Sequence, residues 1–393
     1  MNRIERLLDK LAPDGVLHLP LGDLGSFTGG GGPQKKDLLD SGVPAIHYGQ
    51  IYTHYGVSAS STLSFVTEAL ASRSKRAEPG DVLIADTSEN DEDLGRAVAW
   101  LGAVPAAVSN HTFIFSSRLV DPVYLSYYLR SAGFQIQKNK LVYGTKVRSI
   151  SRSNMEKVIV PVPPLEVQQE IVGILDKFTE LEAELETRLE AELEARRVQF
   201  RFLRAELLAD EALNSPYVQI GEIFSMRAGE HVAAATIAPS EDPEHPFPCF
   251  GGNGIRGYVS EANRNIPAIL IGRQGALCGN VQRSSGPFFA TEHAVVTEPR
   301  IELNLSWAFH KLRQMDLNQY KTKSAQPGLS VRKLSQIPLK VPPLERQEDI
   351  GAMLDAAATL VNDISVGLPA ERAARRKQYE YYRDKLLTFE EAR

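Results

Sequence analysis

The chain is poor in cysteine, with Cys249 and Cys278 as its two examples among 393 residues. These two residues lack the paired spacing of a zinc site, and two cysteines cannot build a disulfide framework for a chain of this length. Such low usage is typical of the reducing cytoplasm, so we expect a cytoplasmic protein. No apolar run is long enough to cross a membrane, and we expect no membrane partner.

The chain also lacks the sequence patterns of common catalytic and cofactor sites. The glycine-rich runs 29–32 and 251–254 have no Gly-Lys-Ser/Thr of a phosphate loop and are interpreted as mobile or tightly turned loops. Asp121-Pro122-Val123-Tyr124 departs from the methyltransferase motif Asn/Asp-Pro-Pro-Tyr/Phe, and we interpret it as a helix start. The acidic run 91–93 is interpreted as an exposed loop. We therefore predict a non-enzymatic chain with no catalytic residue, no metal ion and no cofactor of its own.

A long internal repeat dominates what the chain does contain. Residues 151–208 recur as residues 330–387, 179 positions later and without a gap. Val162-Pro163-Pro164-Leu165-Glu166, for example, returns as Val341-Pro342-Pro343-Leu344-Glu345. Because one inserted residue would rotate every later helical side chain by about 100°, the gapless match indicates one rigid element present twice.

Each copy of the repeat is predicted to form a long helix that begins near Pro164 or Pro343. Proline suits a first helical turn, and the glutamate that follows favours the positive helix N-terminus. Apolar residues then recur mostly at steps of three and four, as in a coiled coil, so the two copies are expected to pack antiparallel with pseudo-twofold symmetry. Gly367-Leu368-Pro369 is expected to kink or break the second helix.

A segment rich in glycine, aromatic residues and short Val/Ile runs precedes each helix. The two segments share anchors such as Asn110-His111-Thr112 and Glu292-His293-Ala294, at different spacings, which indicates one scaffold with divergent loops. Short β-like runs alternate with helical patches, and we predict an α+β fold with a small, strongly curved sheet in each. The predicted boundaries are 1–163 and 213–342 for the domains, and 164–212 and 343–393 for the spacer helices.

The acidic charge of the chain is concentrated in the helices. The formal net charge is −5, yet residues 165–213 alone carry 6 basic and 13 acidic residues. Residues 214–342 carry 13 basic and 10 acidic residues. Domains near neutrality can still bind DNA if their lysine and arginine residues gather on one face.

Several motifs, taken in order, resemble those of specificity subunits of type I restriction-modification enzymes over nearly the whole chain. Besides the two Val-Pro-Pro-Leu-Glu starts, the motifs are Leu11-Ala12-Pro13-Asp14-Gly15-Val16, Gly42-Val43-Pro44-Ala45-Ile46-His47-Tyr48-Gly49-Gln50, Val98-Ala99-Trp100, Gly251-Gly252-Asn253-Gly254-Ile255-Arg256-Gly257-Tyr258, Ile271-Gly272-Arg273-Gln274-Gly275 and Arg376-Lys377-Gln378-Tyr379. No single motif identifies the family. The order of the motifs along the chain, present twice, is highly specific.

The resemblance implies two target-recognition domains, each reading one half of a bipartite site in double-stranded DNA and held apart by the paired helices. It implies as partners two modification (adenine methyltransferase) subunits docked on the helical regions, and restriction subunits that join for cleavage. S-adenosylmethionine is expected on the partner methyltransferase subunit. The chain itself would read DNA and carry no catalysis.

Candidate DNA contacts are polar residues of the two domains, because Arg, Lys, Asn and Gln read base edges and cations bind phosphates. For the first domain they are Lys35, Lys36, Gln50, Thr53, His54, Lys138, Lys140, Tyr143 and Lys146. For the second domain they are Arg227, Asn253, Arg256, Tyr258, Arg273, Gln274, Lys321, Lys323 and Gln326. A solvated surface position is the alternative for each of them. His111 and His293 are favoured as structural residues, with a DNA-facing role left open.

A second hypothesis belongs to another functional class, a non-enzymatic coiled-coil adaptor whose two domains bind protein or carbohydrate. It predicts scattered basic residues, apolar recognition loops and no protection of DNA. The DNA-reading hypothesis predicts instead that affinity for DNA falls as the salt concentration rises.

Overall fold

The computed structural model describes residues 3–209, 215–323 and 327–392. The chain divides into two compact units. Unit 1 comprises residues up to Thr187 together with those from Ala370 onwards, and unit 2 comprises Arg188–Pro369. The division cuts both repeated helices, so each unit holds one mixed domain, part of the helix that follows that domain, and part of the other helix.

Unit 1 builds its domain from short elements. Its strands are β1 (Leu17–Pro20), β2 (Gly25–Gly29), β3 (Val43–Ile46), β4 (Ser58–Ala59), β5 (Ser64–Val66), β6 (Arg76–Ala77), β7 (Val82–Ala85), β8 (Thr87–Ser88), β9 (Ala97–Trp100), β10 (Ala106–Val108), β11 (Thr112–Ser117), β12 (Arg148–Ser149) and β13 (Ile159–Val162). Its short helices are α1 (Arg3–Leu11), α2 (Leu21–Leu24), α3 (Tyr48–Thr53), α4 (Glu68–Ala71), α5 (Pro122–Tyr128), α6 (Ala132–Lys138) and α7 (Arg152–Met155), with a 3₁₀ helix at Lys35–Asp37.

The strands of unit 1 form two main sheets. One has the order β2-β11-β7-β9-β4 and the other the order β5-β3-β10-β6, while β1 pairs with β13 and β8 with β12. Strand β7 is buried on both faces: Val82 and Ile84 pack into the larger core, whereas Leu83 and Ala85 pack into a second apolar cluster. This alternation explains why β7 reads as a continuous apolar run.

Unit 2 repeats this plan with fewer strands. Its strands are β14 (Tyr217–Gln219), β15 (Phe224–Ala228), β16 (Phe247–Gly251), β17 (Gly254–Val259), β18 (Ala268–Gly272), β19 (Val281–Ser284), β20 (Phe289–Ala290), β21 (Ala294–Pro299) and β22 (Pro338–Lys340). The long helices are α8 (Leu165–Leu207) and α12 (Leu344–Leu386); the short ones in unit 2 are α9 (Ile220–Ile223), α10 (Leu305–Gln314) and α11 (Val331–Ser335), with 3₁₀ helices at Ala234–Thr236 and Leu317–Tyr320.

The sheets of unit 2 correspond to those of unit 1. Their orders are β15-β21-β18-β19 and β17-β16-β20, and β14 pairs antiparallel with β22 as β1 does with β13. Mixed helix and sheet content and a long helix after each domain confirm the predicted α+β fold class. The expectation of one small sheet in each domain was wrong, because strands from distant parts of the chain pair into two main sheets.

Each long helix is docked by its first turns on the domain that precedes it. Ile171 and Leu175 of α8 are fully buried in the unit 1 core, and their repeat equivalents Ile350 and Leu354 of α12 are fully buried in the unit 2 core. The repeated sequence therefore keeps register where the helix must fit a domain surface.

A buried glutamine completes each docking site. Gln168 Oε1 accepts a hydrogen bond from the backbone N–H of Asp121 at 2.8 Å, while its Nε2 donates to Pro163 O at 2.8 Å. Gln347 makes the equivalent bonds with Asn304 N at 3.0 Å and Pro342 O at 2.8 Å. Each glutamine thus links the N-cap residue of α5 or α10 to the proline pair before its own helix.

The side chains of Asp121 and Asn304 start those two short helices. Asp121 Oδ1 accepts from the backbone N–H groups of Val123 and Tyr124 at 2.9 Å, which confirms that this segment is a helix start. Asn304 Oδ1 accepts from Trp307 N at 2.9 Å. These bonds satisfy helix N–H groups that have no partner within the helix.

The repeated aspartates of the long helices bind different partners in the two units. In unit 1 the Tyr127 hydroxyl donates to Asp176 Oδ1 at 2.7 Å. In unit 2 His310 Nε2 lies 2.9 Å and Arg283 Nη1 2.8 Å from Asp355 Oδ1. The helix side of the contact is therefore preserved while the domain side varies.

Antiparallel packing of the long helices is visible within unit 1. Phe178 of α8 stacks on Tyr382 of α12, with ring centroids 6.3 Å apart, and Glu186 further along α8 pairs with Arg372 earlier along α12. The end of α12 also reaches the unit 1 core, where Leu387 is buried. In unit 2, the corresponding Leu208 at the end of α8 is buried in the core, and Lys311 Nζ donates to its carbonyl at 2.8 Å.

The expectation of a kink or break at Gly367-Leu368-Pro369 was wrong as to the break, because α12 continues through Pro369. The kink stays a prediction, since a proline removes one hydrogen bond and crowds the carbonyl four residues earlier.

Lys138, predicted to contact DNA, is instead a buried structural residue at the end of α6. Its side chain is fully buried, and Nζ donates to the carbonyls of Asp91 and Leu94 and to Gln135 Oε1. Burial, partly offset by Asp91, lowers the pKa of this lysine to about 8. A long cationic side chain is buried here because carbonyl oxygens of the acidic loop surround it.

We expect Leu354→Ala to lower the free energy of unfolding of unit 2 by about 2 to 5 kcal/mol, because it leaves a cavity in a packed core. In a Trp100→Phe background, Trp307 in the unit 2 core is the one remaining tryptophan, so its fluorescence in urea reports unit 2. Leu360→Ala removes a 63% exposed side chain from the same helix and should change stability by no more than about 0.5 kcal/mol. Equal effects of the two substitutions would contradict this docking.

We expect Lys138→Ala to destabilise unit 1 by roughly 2 to 4 kcal/mol, because it empties a buried volume and removes the donor of two carbonyls. Trp100 fluorescence in a Trp307→Phe background measures this change in unit 1. Lys140→Ala, at an exposed position two residues later, is the control and should be nearly neutral. A neutral Lys138→Ala would show that the buried ammonium is dispensable.

Candidate nucleic-acid interface

One sheet edge in unit 1 collects polar groups from several segments. Here β2 ends, β7 ends and β11 begins. Gly30 N donates to Thr112 O at 2.7 Å, Gly31 N to Val108 O at 3.1 Å, and Asp86 N to His111 O at 3.2 Å. A Cβ atom on Gly30 would lie 2.1 Å from Ser109 O, so only glycine permits this approach.

The corresponding edge of unit 2 has the same backbone hydrogen bonds. Gly229 N donates to Ala294 O at 3.0 Å, Glu230 N to Ala290 O at 2.9 Å, and Arg273 N to His293 O at 2.9 Å. A Cβ atom on Gly229 would lie 2.1 Å from Ala290 O. The two domains therefore share these three backbone contacts at this edge.

The side chains at equivalent positions of the two edges differ. Matching the hydrogen bonds pairs Gly31 with Glu230, Asp86 with Arg273, Asn110 with Glu292 and His111 with His293. Only the pair of His111 and His293 has the same residue in both units. A constant backbone with variable polar side chains is the arrangement expected of a recognition surface with two specificities.

The edge of unit 1 is rich in cationic and aromatic groups. Tyr48 lies edge-on to His111, with ring centroids 5.4 Å apart, and His47 lies 4.5 Å from Tyr48. Burial, followed by the positive charges of Lys35 and His111, lowers the pKa of His47. A lysine beside partly exposed rings can bind phosphates and bases.

A carboxylate between two histidines lies at the edge of unit 2. His231 Nδ1 is 3.1 Å and His293 Nε2 is 3.5 Å from Glu292 Oε1. The hydrogen bond from His231 is the main cause that lowers the pKa of Glu292, so this carboxyl stays ionised at neutral pH. Asn280 Nδ2 donates to Asn253 Oδ1 at 2.9 Å nearby, in the same unit.

Four of the predicted contacts of the first domain lie in two places. Lys35 and Lys36 are exposed on the 3₁₀ helix that follows the glycine run, and Tyr143 and Lys146 are exposed beside β12, which pairs with β8 immediately after Asp86. These four residues flank the edge.

The remaining residues of that set are less favourably placed. Thr53 and His54 are exposed at the end of α3, although the Thr53 hydroxyl donates to Gly49 O at 2.8 Å. Both polar groups of the Gln50 side chain make hydrogen bonds within the domain. Its Oε1 accepts from His47 N, and its Nε2 donates to Ser64 Oγ. Lys140 is exposed after α6, and the burial of Lys138 removes it from the set.

The predicted contacts of the second domain lie on strands of both sheets and in the segments that follow them. Arg227 is exposed on β15, Asn253 and Arg256 are exposed in and after the β16–β17 turn, and Arg273 and Gln274 follow β18 at the edge. Tyr258 is half-buried on β17.

Three further predicted positions follow the last 3₁₀ helix of unit 2. Lys321 donates to Asn318 Oδ1 at 2.7 Å, and Lys323 is exposed. Gln326 lies outside the described residues. The DNA-contact assignments of all these residues, apart from Lys138, stay predictions.

Sequence reasoning missed Asn110, Glu230, His231 and Glu292 as candidates. Asn110 and Glu292 stood within the anchors that relate the two domains, so their difference at a shared position was available as a signal. Glu230 and His231 carried no such signal, because their place opposite the β21 turn depends on the sheet pairing. Among the described residues, no group of His, Cys, Asp and Glu is placed to hold a metal ion. None of the described helices has the length and apolar character that a membrane crossing requires.

Comparison with known proteins yields one consistent family. A family model for the type I restriction modification DNA specificity domain matches residues 13–195 and 214–371. The type I restriction enzyme EcoprrI specificity subunit of Escherichia coli is 46% identical over 254 residues, covering 62% of this chain and 63% of that subunit. The matched part is thus less than two thirds of that relative's length.

Other curated relatives extend the match. The EcoR124I/EcoR124II specificity subunit of Escherichia coli is 27% identical over 422 residues, covering 99% of this chain and 97% of that subunit. The putative type I specificity subunit S.MpnORF201P of Mycoplasma pneumoniae is 28% identical over 246 residues, covering 60% of this chain but 98% of the relative.

Solved structures share the fold at low identity. A chain from the structure of a type I R-M system, determined to explain complex assembly and conformational transition, matches with a TM-score of 0.71 and 19% identity over 95% of this chain and 97% of that chain. The HsdS subunit from Thermoanaerobacter tengcongensis matches with a TM-score of 0.64 and 18% identity over 95% and 96%. With the family model covering both domains, the predicted resemblance is confirmed: the chain belongs to the type I restriction-modification DNA specificity family.

Proposed function

We propose that the chain is the DNA sequence-recognition subunit of a type I restriction-modification complex, with each unit reading one half of a bipartite site in double-stranded DNA. The doubled sheet edge carries this proposal. The two edges share their backbone hydrogen bonds and differ in the polar side chains that they present, as two readers of different half-sites require.

In this proposal the chain itself performs no catalysis. Two modification subunits bring S-adenosylmethionine and methylate adenine, and restriction subunits join for cleavage, with the cytoplasm as the place of action. The adaptor hypothesis finds no support in the family comparisons. It also predicts apolar recognition loops, whereas the edges are polar and carry lysine, histidine, asparagine and glutamate.

The long helices are proposed to set the spacing of the two half-sites and to dock the modification subunits. Each has 43 residues, or about 65 Å at about 1.5 Å per residue. Two apolar positions are exposed in both copies: Leu181 and Leu360 at 51% and 63%, and Phe202 and Tyr381 at 63% each. Because these positions repeat, they suit two copies of one partner.

We expect the complex of this chain with its modification subunits to bind DNA more weakly as the salt concentration rises. The logarithm of the affinity should fall linearly with the logarithm of the salt concentration. The DNA should carry the motif whose adenine methylation in the host depends on this gene. Replacing Lys35 and Lys36 with alanine should reduce the magnitude of this slope by about one for each lysine that neutralises a phosphate. Arg118→Ala, at the opposite end of β11, is the control and should keep the slope. Affinity independent of salt would contradict DNA reading.

We expect Leu360→Asp combined with Phe202→Asp to release one modification subunit, because the apolar positions of unit 2 then carry charge. Native mass spectrometry of the assembled complex should change from two modification subunits to one. Leu181→Asp combined with Tyr381→Asp should act likewise in unit 1. Leu119→Asp, at a 60% exposed position outside the helices, should keep both subunits. Retention of two subunits by all variants would exclude these positions from docking.

A further inference from the structure

The turn before the β11 or β21 strand holds a residue that differs between two otherwise matching edges. Asn110 lies between β10 and β11, and Glu292 lies between β20 and β21. In both turns the flanking backbone is fixed by equivalent bonds: Ser109 N donates to Ile46 O at 3.1 Å, and Thr291 N donates to Phe250 O at 2.9 Å. The two side chains therefore occupy corresponding positions in the two turns, whereas the residue that follows is left-handed in unit 1, at His111, and not in unit 2, at His293.

Asn110 presents an amide that the described structure does not otherwise use. The side chain is exposed, and no hydrogen bond to it occurs among the described residues. Its neighbour His111 has a φ of 62°, a left-handed conformation that is strained for a non-glycine residue.

Glu292 presents an ionised carboxylate at the same place in unit 2. One oxygen is engaged by His231 at 3.1 Å and lies 3.5 Å from His293. The other oxygen, Oε2, is shielded from solvent and has no hydrogen-bond partner among the described residues. A carboxylate accepts hydrogen bonds and cannot donate them, and a buried acceptor without a partner is costly, so a donor that reaches Oε2 would stabilise this side chain.

The bases differ in what they offer to such groups in the major groove. Adenine presents the N6 donor beside the N7 acceptor, which matches both ends of an asparagine amide. Cytosine presents the N4 donor alone, which matches a carboxylate. Guanine O6 and N7 and thymine O4 are acceptors that a carboxylate repels.

We propose that this turn residue is a specificity-determining base reader, with Asn110 selecting adenine in the half-site of unit 1 and Glu292 selecting cytosine in the half-site of unit 2. The inference rests on the proposed function and adds to it the two residues and the base class that each selects. The histidines beside Glu292 hold the carboxylate in place and are positioning residues.

A set of DNA duplexes tests the assignment. Each duplex carries the motif methylated in the host, with one base pair of one half-site changed to each alternative. The dissociation constant of the complex with modification subunits is measured for every duplex at one salt concentration. The wild-type complex should prefer one base pair at most positions of both half-sites.

Glu292→Gln keeps the size of the side chain and its ability to accept from histidine, and it adds a donor. The preference for cytosine at one position of one half-site should fall by about tenfold to a hundredfold, with adenine gaining, because an amide matches adenine. Preferences in the other half-site should stay unchanged. Asn110→Ala should lower the preference for adenine by a similar factor at one position of that other half-site.

Glu302→Gln is the matched control, since Glu302 is exposed beyond the far end of β21. It should leave every preference unchanged. Unchanged preferences for both Glu292→Gln and Asn110→Ala would overturn the assignment while DNA reading stands. An equal loss on every duplex, with an unchanged melting temperature, would also overturn it. A wild-type complex that binds all duplexes equally would instead refute the proposed function.

Discussion

The buried amides of Gln168 and Gln347 are the contacts on which the rest of each unit depends. Each amide joins the N-cap backbone of a short helix to the carbonyl of the first proline in the pair before a long helix. Removing either side chain would leave buried polar backbone groups without partners, which costs more than a hydrogen bond contributes. This constraint keeps the first turns of both helices in register, because the glutamine, isoleucine and leucine of each helix must meet one domain surface together.

The two matching sheet edges have shared backbone hydrogen bonds and variable side chains. Gly30 and Gly229 bring β2 and β15 so close to the neighbouring turn that a Cβ atom would collide with a carbonyl. The backbone bonds that follow do not depend on the residues at positions 86, 110, 273 or 292. Side chains at those positions can therefore change without breaking these backbone hydrogen bonds.

Sequence alone predicted the parts of the structure that depend on local pattern. The helix starts after the proline pairs, the cap at Asp121 and the β runs around residues 82 and 269 all follow from short-range chemistry, and the structure has them. The pairing into two sheets and the burial of Lys138 depend on residues far apart in sequence, such as Asp91 and Leu94 against α6. The meeting of Glu292 with His231 depends on strand pairing for the same reason, and composition cannot reveal it.

Unit 1 is built from two separate stretches of the chain, and this determines when it can be completed during synthesis. Its domain leaves the ribosome first, yet Leu387 from the end of α12 lies in its core, and Tyr379 and Leu386 pack against that core. The N-terminal unit is therefore the last to be completed, and it must wait through the translation of all of unit 2. Premature termination after residue 369 would damage the core of the domain made first and leave the domain made second with its own segments intact.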